Sequence, residues 1–229
     1  MGEGWGEGDK DRFTKKRRDI GKDMKHLFMI VTAVACIFVL FGCIGGGVPT
    51  PMMTEQYVIE YTPPEYDNLS RVDESIKIAR FSLSRHLNCR SMLYKPAPFK
   101  RDAYNYHHWR VNPGDMVTDC LLRDFRASSL FRAVFSSYNY ENSRFLLEGC
   151  VEEFTGLYEQ DPGKALLKLN ITLLDMDAEN VTSRVIFQKN YQISETLGSR
   201  TPEGLTRGMS KAMYSLSEQI TRDIHESVE

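Results

Sequence analysis

Two periodicities run through this chain, and the cleaner of them is the alternation of a strand. In Ala165–Asp175, Leu167, Leu169, Ile171 and Leu173 fall on one side and Lys168, Asn170 and Thr172 on the other. A strand of this kind buries one face and wets the other. Arg144–Tyr158 precedes it across Asp161-Pro162-Gly163, where Pro presets φ and Gly frees it, so the chain turns. After a polar turn at Asp177–Asn180, Val185, Phe187, Tyr191 and Ile193 continue the pattern, and the three segments predict an antiparallel meander. Upstream strands are shorter: Tyr57–Tyr61, closed by Pro63-Pro64; Ile76–Leu83, interrupted at Arg80 by a bulge or a strand end; Ser91–Tyr94; the aromatic Ala103–Arg110; and Phe131–Phe135.

Helical spacing occurs twice. Asn112-Pro113 is an N-cap followed by Pro at the first helical position, with Asp115 at the positive end of the dipole. Met116, Val117, Cys120, Leu121 and Phe125 then predict an amphipathic helix ending near Ser128-Ser129. Thr201-Pro202-Glu203 opens a second one, running to about Ile224 with Leu205, Met209, Met213, Leu216, Ile220 and Ile224 as its stripe. Glu218 and Arg222 are placed to pair on its outer face. Burying these faces together requires a sheet with helices on it. The predicted fold is α/β: a single domain over residues 57–229, a mixed or antiparallel sheet with two main amphipathic helices packed on it.

Leu27–Cys43 follows neither period. It is a charge-free apolar run after Lys15-Lys16-Arg17-Arg18, ends in Leu40-Phe41-Gly42-Cys43, and is followed by three glycines. Its length and flanks fit a secretory signal better than a membrane span. The Gly42-Cys43 ending resembles the lipobox of bacterial lipoproteins, in which the signal is cut before a Cys that is acylated on sulfur. Met24-Lys25-His26 makes a compact start for such a signal, so the expected layout has four parts. Residues 1–23 are an extension without apolar periodicity, disordered and not translated if synthesis begins at Met24. Residues 24–42 are the signal peptide, 43–56 a flexible Gly-, Pro- and Thr-containing tether, and 57–229 the domain. The competing reading takes Leu27–Val48 as a signal anchor, with Lys15–Arg18 cytoplasmic and Asn68, Asn170 and Asn180 as glycan acceptors of a type II glycoprotein.

Charge and side-chain chemistry narrow the function by exclusion. The chain has 29 basic and 31 acidic residues. Eight basic and six acidic ones lie in 1–42, leaving 21 against 25, a balance of −4, from Cys43 onward. No basic face for nucleic acid is expected. Without Cys36 and Cys43, the cysteines Cys89, Cys120 and Cys150 allow one bridge at most, match no zinc spacing, and read as small buried hydrophobes. No nucleophile elbow, Walker A or dinucleotide glycine pattern is present. His107-His108, adjacent in a strand, face opposite ways and cannot share a metal. Asp175-x-Asp177-x-Glu179 lacks the Gly and the closing Glu of a calcium loop. Glu152-Glu153 reads as a solvated edge. Tyr104, Tyr106 and Trp109 form an aromatic cluster, either partner-facing or core beneath the first helix. An enzyme is not expected, nor a cofactor or metal beyond covalent lipid on Cys43.

From Tyr57 onward the chain resembles the ABC-type transport auxiliary lipoproteins, the PqiC-like family. The resemblance rests on the lipobox, on a Tyr-rich strand followed by proline (Tyr57–Pro64), and on Tyr104-Asn-Tyr-His-His-Trp109-Arg-Val-Asn-Pro113. The last of these is similar to the family's Tyr-x-x-x-x-Trp-x-x-x-Pro leading into a helix. Ser129-Leu-Phe131-Arg-Ala-Val134 resembles its Ser-x-Phe-x-x-Val, whereas Leu83–Leu93 departs from the family's Pro-x-Tyr-Leu-type segment. The resemblance implies a lipid-anchored, non-catalytic subunit that docks on an MCE-domain protein and its ABC permease and helps lipids cross the periplasm. Several copies in a ring would suit a ring-shaped partner by analogy. Ile44 after the Cys, rather than the Asp of inner-membrane retention, points to the periplasmic face of the outer membrane. The alternative is a stand-alone periplasmic lipid carrier, which needs an apolar cavity between sheet and helices.

Overall fold

One long strand sets the geography of the domain. The computed structural model describes residues 53–229 and, before them, Met29 alone. Among the described residues the strands are β1 (Glu55–Tyr57), β2 (Val72–Ile78), β3 (Ser82–Leu83), β4 (Ser91–Lys95), β5 (Asp102–Trp109), β6 (Phe131–Ser136), β7 (Phe145–Leu157), β8 (Lys164–Asp175) and β9 (Val185–Thr196). The helices are α1 (Pro113–Ser128), the single turn α2 (Val181–Arg184) and α3 (Pro202–Val228). One edge of β7 pairs antiparallel with β8, and β8 with β9, so the predicted meander is present. Its other edge takes three parallel partners in succession: β2 at Phe145–Leu147, β3 at Cys150-Val151 and β4 at Gly156-Leu157. β6 extends the sheet beyond β2, and β5 with β1 extend it beyond β4. The result is a single mixed α/β sheet that forks along β7.

Both long helices lie on this sheet, α3 over β8 and β9 and α1 over β6 and β7. The inward stripe of β8 (Leu167, Leu169, Ile171, Leu173) and that of α3 (Leu205, Met209, Met213, Leu216, Ile220, Ile224) are all fully buried. Each such side chain contributes about 1.5–3 kcal/mol of transfer free energy. The helix starts follow the sequence signals. Asn112 Oδ1 accepts from the Asp115 N–H at 3.0 Å, and Thr201 Oγ1 from the Gly204 N–H at 3.1 Å. Arg222 donates to Glu218 at 3.0 Å. α3 runs past Ile224 to Val228 because His225 is buried there and its Nε2–H donates to Ser70 O at 2.7 Å.

Three expectations need correction. Glu55 and Gln56, assigned to the tether, are the first residues of β1, while Val58–Tyr61, assigned to a strand, is not one. The Glu60 N–H goes to Ser210 Oγ at 3.2 Å instead of to a neighbouring strand. In Ile76–Leu83 the interruption expected at Arg80 is a strand end, because Arg80 turns out to pair with Asp115 and the Phe81 N–H donates to Thr118 Oγ1 at 3.0 Å, both on α1. That turn moves Phe81 into the core against Gly149, where a Cβ would lie 2.6 Å from Phe81 Cζ. β5 does not alternate cleanly either. Ser91 faces His108 and Leu93 faces Ala103, so Tyr104, Asn105 and Tyr106 bulge out of the ladder.

Finally, the cysteines differ from one another. Cys89, Cys120 and Cys150 are all free thiols, and of these only Cys120 is buried.

Candidate functional site

Register places several loops at one end of the sheet. β4 ends beside Leu157, the last residue of β7. The β4–β5 loop, the β7–β8 turn and the β9–α3 connection therefore share this end. β1 runs parallel to β5, with Glu55 opposite His107, so the chain preceding Glu55 enters from the side where β5 begins, which is the same end. Glu153 organises the base of the β4–β5 loop. Its Oε1 accepts from Lys95 Nζ at 3.0 Å and from Arg101 Nη2 at 2.9 Å. Burial pushes the Glu153 carboxyl up, but the bonds from Lys95 and Arg101 outweigh it and hold it below the usual range. His86, 4.0 Å away, is pushed down by burial and then by Arg101, so it stays neutral at neutral pH. The solvated-edge reading of Glu152-Glu153 thus fails for Glu153. Glu152 is the extra residue of a bulge, since Val151 faces Leu169 and Glu153 faces Lys168, and it reaches Lys168 at 2.8 Å.

The aromatic cluster divides. Trp109 is fully buried and meets Phe154 edge-on at 5.2 Å, so it belongs to the core and offers a partner nothing. Tyr104 is half-buried, packs on Tyr94 at 4.9 Å, and its hydroxyl lies 2.9 Å from that of Tyr158. Tyr106 is exposed on the bulge. Tyr57, in β1, lies 2.7 Å from Glu55, 2.9 Å from Glu203 and 3.1 Å from His107 Nδ1, which joins β1, β5 and the start of α3. Burial first, then both carboxylates, push the Tyr57 hydroxyl well up, so it serves as a donor and not as a base. Burial likewise pushes the Cys120 thiol up to about 11, far from a nucleophile's range.

An open groove of about 1100 Å³ runs between Val58–Tyr61 and the first half of α3. Glu60, Glu195, Glu203, Arg207 and Lys211 line it together with Val58, Tyr61 and Tyr214, a wall of mixed polar and apolar character. The layer between sheet and helices is filled by the buried side chains described above. At its floor, Tyr61 donates to the fully buried Asp124 at 2.5 Å, and Arg123 reaches the same carboxylate at 2.8 Å.

The other end of β7 has a different surface. The β6–β7 loop carries Tyr138 and Tyr140, 83% and 102% exposed. The β8–β9 connection adds Met176 and Val181, and β9 opens with Val185, all exposed. Arg144 fastens this end, reaching Glu74 at 3.0 Å and Asp175 at 3.4 Å. No sequence signal marked these residues, because exposure of a loop aromatic has no period. Gly42 and Cys43 lie outside the described residues, as do the segment 1–23 and, apart from Met29, the segment 24–42. Among the described residues no helix is long and apolar enough to cross a membrane, and no cluster of metal-ligating side chains forms. The sequon residue Asn170 sits within β8, where its Nδ2 donates to Asn190 at 2.8 Å.

This combination, a forked α/β sheet with two long helices and an exposed loop surface at each end of its longest strand, has known counterparts. The family model for the ABC-type transport auxiliary lipoprotein component matches residues 57–221, and the chain belongs to that family. Membership associates it with an ABC-type transport system and with the cell envelope. Among solved structures, the protein XCC0632 of Xanthomonas campestris, described as family DUF330, is similar. It has a TM-score of 0.69 and 18% identity over 76% of this chain and 96% of that one. A second crystal structure, of an uncharacterized protein, gives 0.59 and 10% over 75% and 99%. At these identities the likeness is one of fold. No curated protein matches the chain in sequence.

Proposed function

We propose that this protein is a non-catalytic docking subunit of an envelope transport system. Acyl groups on Cys43 hold it at the periplasmic face of the outer membrane, and the domain engages an MCE-domain protein and its ABC permease during lipid transfer. The match to the auxiliary-component family over residues 57–221 carries this reading. Geometry supports it through polarity. The chain enters at one end of β7, and the exposed Tyr138 and Tyr140 lie beside the other, twelve residue steps or roughly 40 Å away at ~3.3 Å per residue. A subunit fixed to a membrane at one end presents the opposite end to a partner. Exposed aromatics of this kind are favoured interface anchors. One acyl chain binds a membrane only marginally, at about 0.8 kcal/mol per buried methylene, whereas several hold it stably. The carrier alternative needs an apolar cavity between sheet and helices, and that layer is filled by buried side chains.

The test is fractionation followed by capture. Cys43→Ala should release the domain from membranes, and a tagged wild-type chain crosslinked in its own cells should bring down an ABC permease with its partner. A Cys43→Ala chain that still sediments with membranes would contradict the anchor. Capture of the chain alone would favour the carrier.

A further inference from the structure

The tip of the β4–β5 loop presents a phenyl ring to solvent. Phe99 is fully exposed, and its φ of 62° lies in the left-handed region that bulky side chains avoid. The loop is not loose at its base. Lys95 and Arg101, one on each side of the tip, both bond Glu153 from the middle of the sheet, and the Lys100 N–H closes the turn on Ala97 O at 3.1 Å. Lys100 itself is exposed. Around the tip, Lys95, Lys100 and Arg101 face Glu153 and Asp102, a balance of three against two that leaves the loop slightly positive.

What meets this ring follows from where the chain comes from. β1 receives the chain from the side of the sheet on which the β4–β5 loop lies. Met53, the first residue of the described segment, is 86% exposed. Only ten residue steps (53 minus 43) separate it from Cys43, and a fully extended chain of that length spans at most roughly 35 Å. Tyr106 is exposed on the β5 bulge, and Tyr94 packs on both Tyr104 and Tyr158. Aromatic rings with polar tips suit the boundary between headgroups and acyl chains. A lone phenyl is too small for a stable protein contact, offering about 200 Å² against the roughly 800 Å² per partner that specific interfaces bury. It is sufficient to orient a domain already held at a bilayer.

We propose that the β4–β5 loop seats Phe99 in the phospholipid interface of the membrane that holds the chain, with Lys100 at the headgroup phosphates. The inference rests on anchoring through Cys43, and it fixes which end of the domain faces the bilayer. Tyr138 and Tyr140 then point away from it.

The lipid-anchored chain, purified from its own membranes, has lost Trp5 with the segment cut before Cys43 and keeps Trp109, which is buried. Phe99→Trp and Tyr138→Trp are added singly. Each protein is reconstituted into vesicles of phosphatidylethanolamine and phosphatidylglycerol, with or without brominated acyl chains. Flotation reports anchoring and quenching reports seating. A ring buried ~5–10 Å into the interface should lose roughly half its emission to the bromines, so Phe99→Trp dims while Tyr138→Trp does not. Chains that float with position 99 unquenched, or with position 138 quenched equally, overturn the seating and leave the anchor standing. Chains that do not float overturn both.

Discussion

Removing one hydroxyl, in Tyr61→Phe, tests whether the segment after β1 is fixed to the domain or merely leads into it. The Tyr61 hydroxyl donates to Asp124 at 2.5 Å, and Asp124 is fully buried on α1. The guanidinium of Arg123 bonds the same carboxylate and lies 4.2 Å from the centre of the Tyr61 ring. Phenylalanine keeps the ring and that cation–π contact, so the variant isolates the hydrogen bond. A bond to a charged acceptor contributes about 1.5–3 kcal/mol, and its loss leaves part of a buried carboxylate unpaired. At roughly 2–4 °C per kcal/mol for a domain of this size, Tyr61→Phe should melt about 3–12 °C lower by calorimetry or circular dichroism. Tyr214, 39% exposed and edge-on to Tyr61 at 6.1 Å, is the control, and Tyr214→Phe should stay within about 0.5 kcal/mol. Combining Tyr61→Phe with Asp124→Ala should show coupling of about 1 kcal/mol or more. A shift for Tyr61→Phe of no more than that of Tyr214→Phe, or strict additivity in the double variant, would refute the reasoning.

Two further predictions concern the sheet. Glu153→Gln should lower stability by about 1–2 kcal/mol near neutral pH. Because the folded carboxyl is held below its usual range, its contribution is complete above the unfolded value of about 4.3 and is lost as pH falls through the folded one. The gap between wild type and variant in urea denaturation should therefore shrink on acidification, and a gap that stays constant would remove Glu153 from the account. Gly149→Ala puts a methyl into the space held by the Phe81 ring and should cost about 1–3 kcal/mol, since the ring has to move within a packed core. A neutral result in the same denaturation assay would mean that Phe81 is free to swing away.

The sequence showed best what depends on its own neighbours along the chain. β8 was legible because Leu167 through Leu173 share one buried face, and the starts of α1 and α3 because Asn112 and Thr201 cap them with their own side chains. Features that depend on a distant partner were not legible. Val58–Tyr61 has strand-forming residues, but Glu60 finds Ser210 rather than another strand. Glu153 looks solvated until Lys95 and Arg101 are brought to it from β4 and its loop. The succession of β2, β3 and β4 along one edge of β7 leaves no mark in any of those strands. Of the aromatic cluster, Tyr106 and Trp109 lie an odd number of positions apart on β5 and fall on opposite sides, one at the surface and one in the core, as alternation requires. The far-end tyrosines carried no sequence signal at all.

The most direct test of the docking account is a photo-crosslinking amino acid placed at Tyr140 in the full chain, expressed in its own cells and irradiated before lysis. The side chain is fully exposed, so the replacement leaves the fold intact. The account predicts a discrete adduct with a subunit of an ABC-type transport system. The same group at Phe99 should give lipid adducts and not that protein. A transport subunit captured from Phe99 but not from Tyr140 would reverse the orientation, and the absence of one from both positions would contradict the docking role itself.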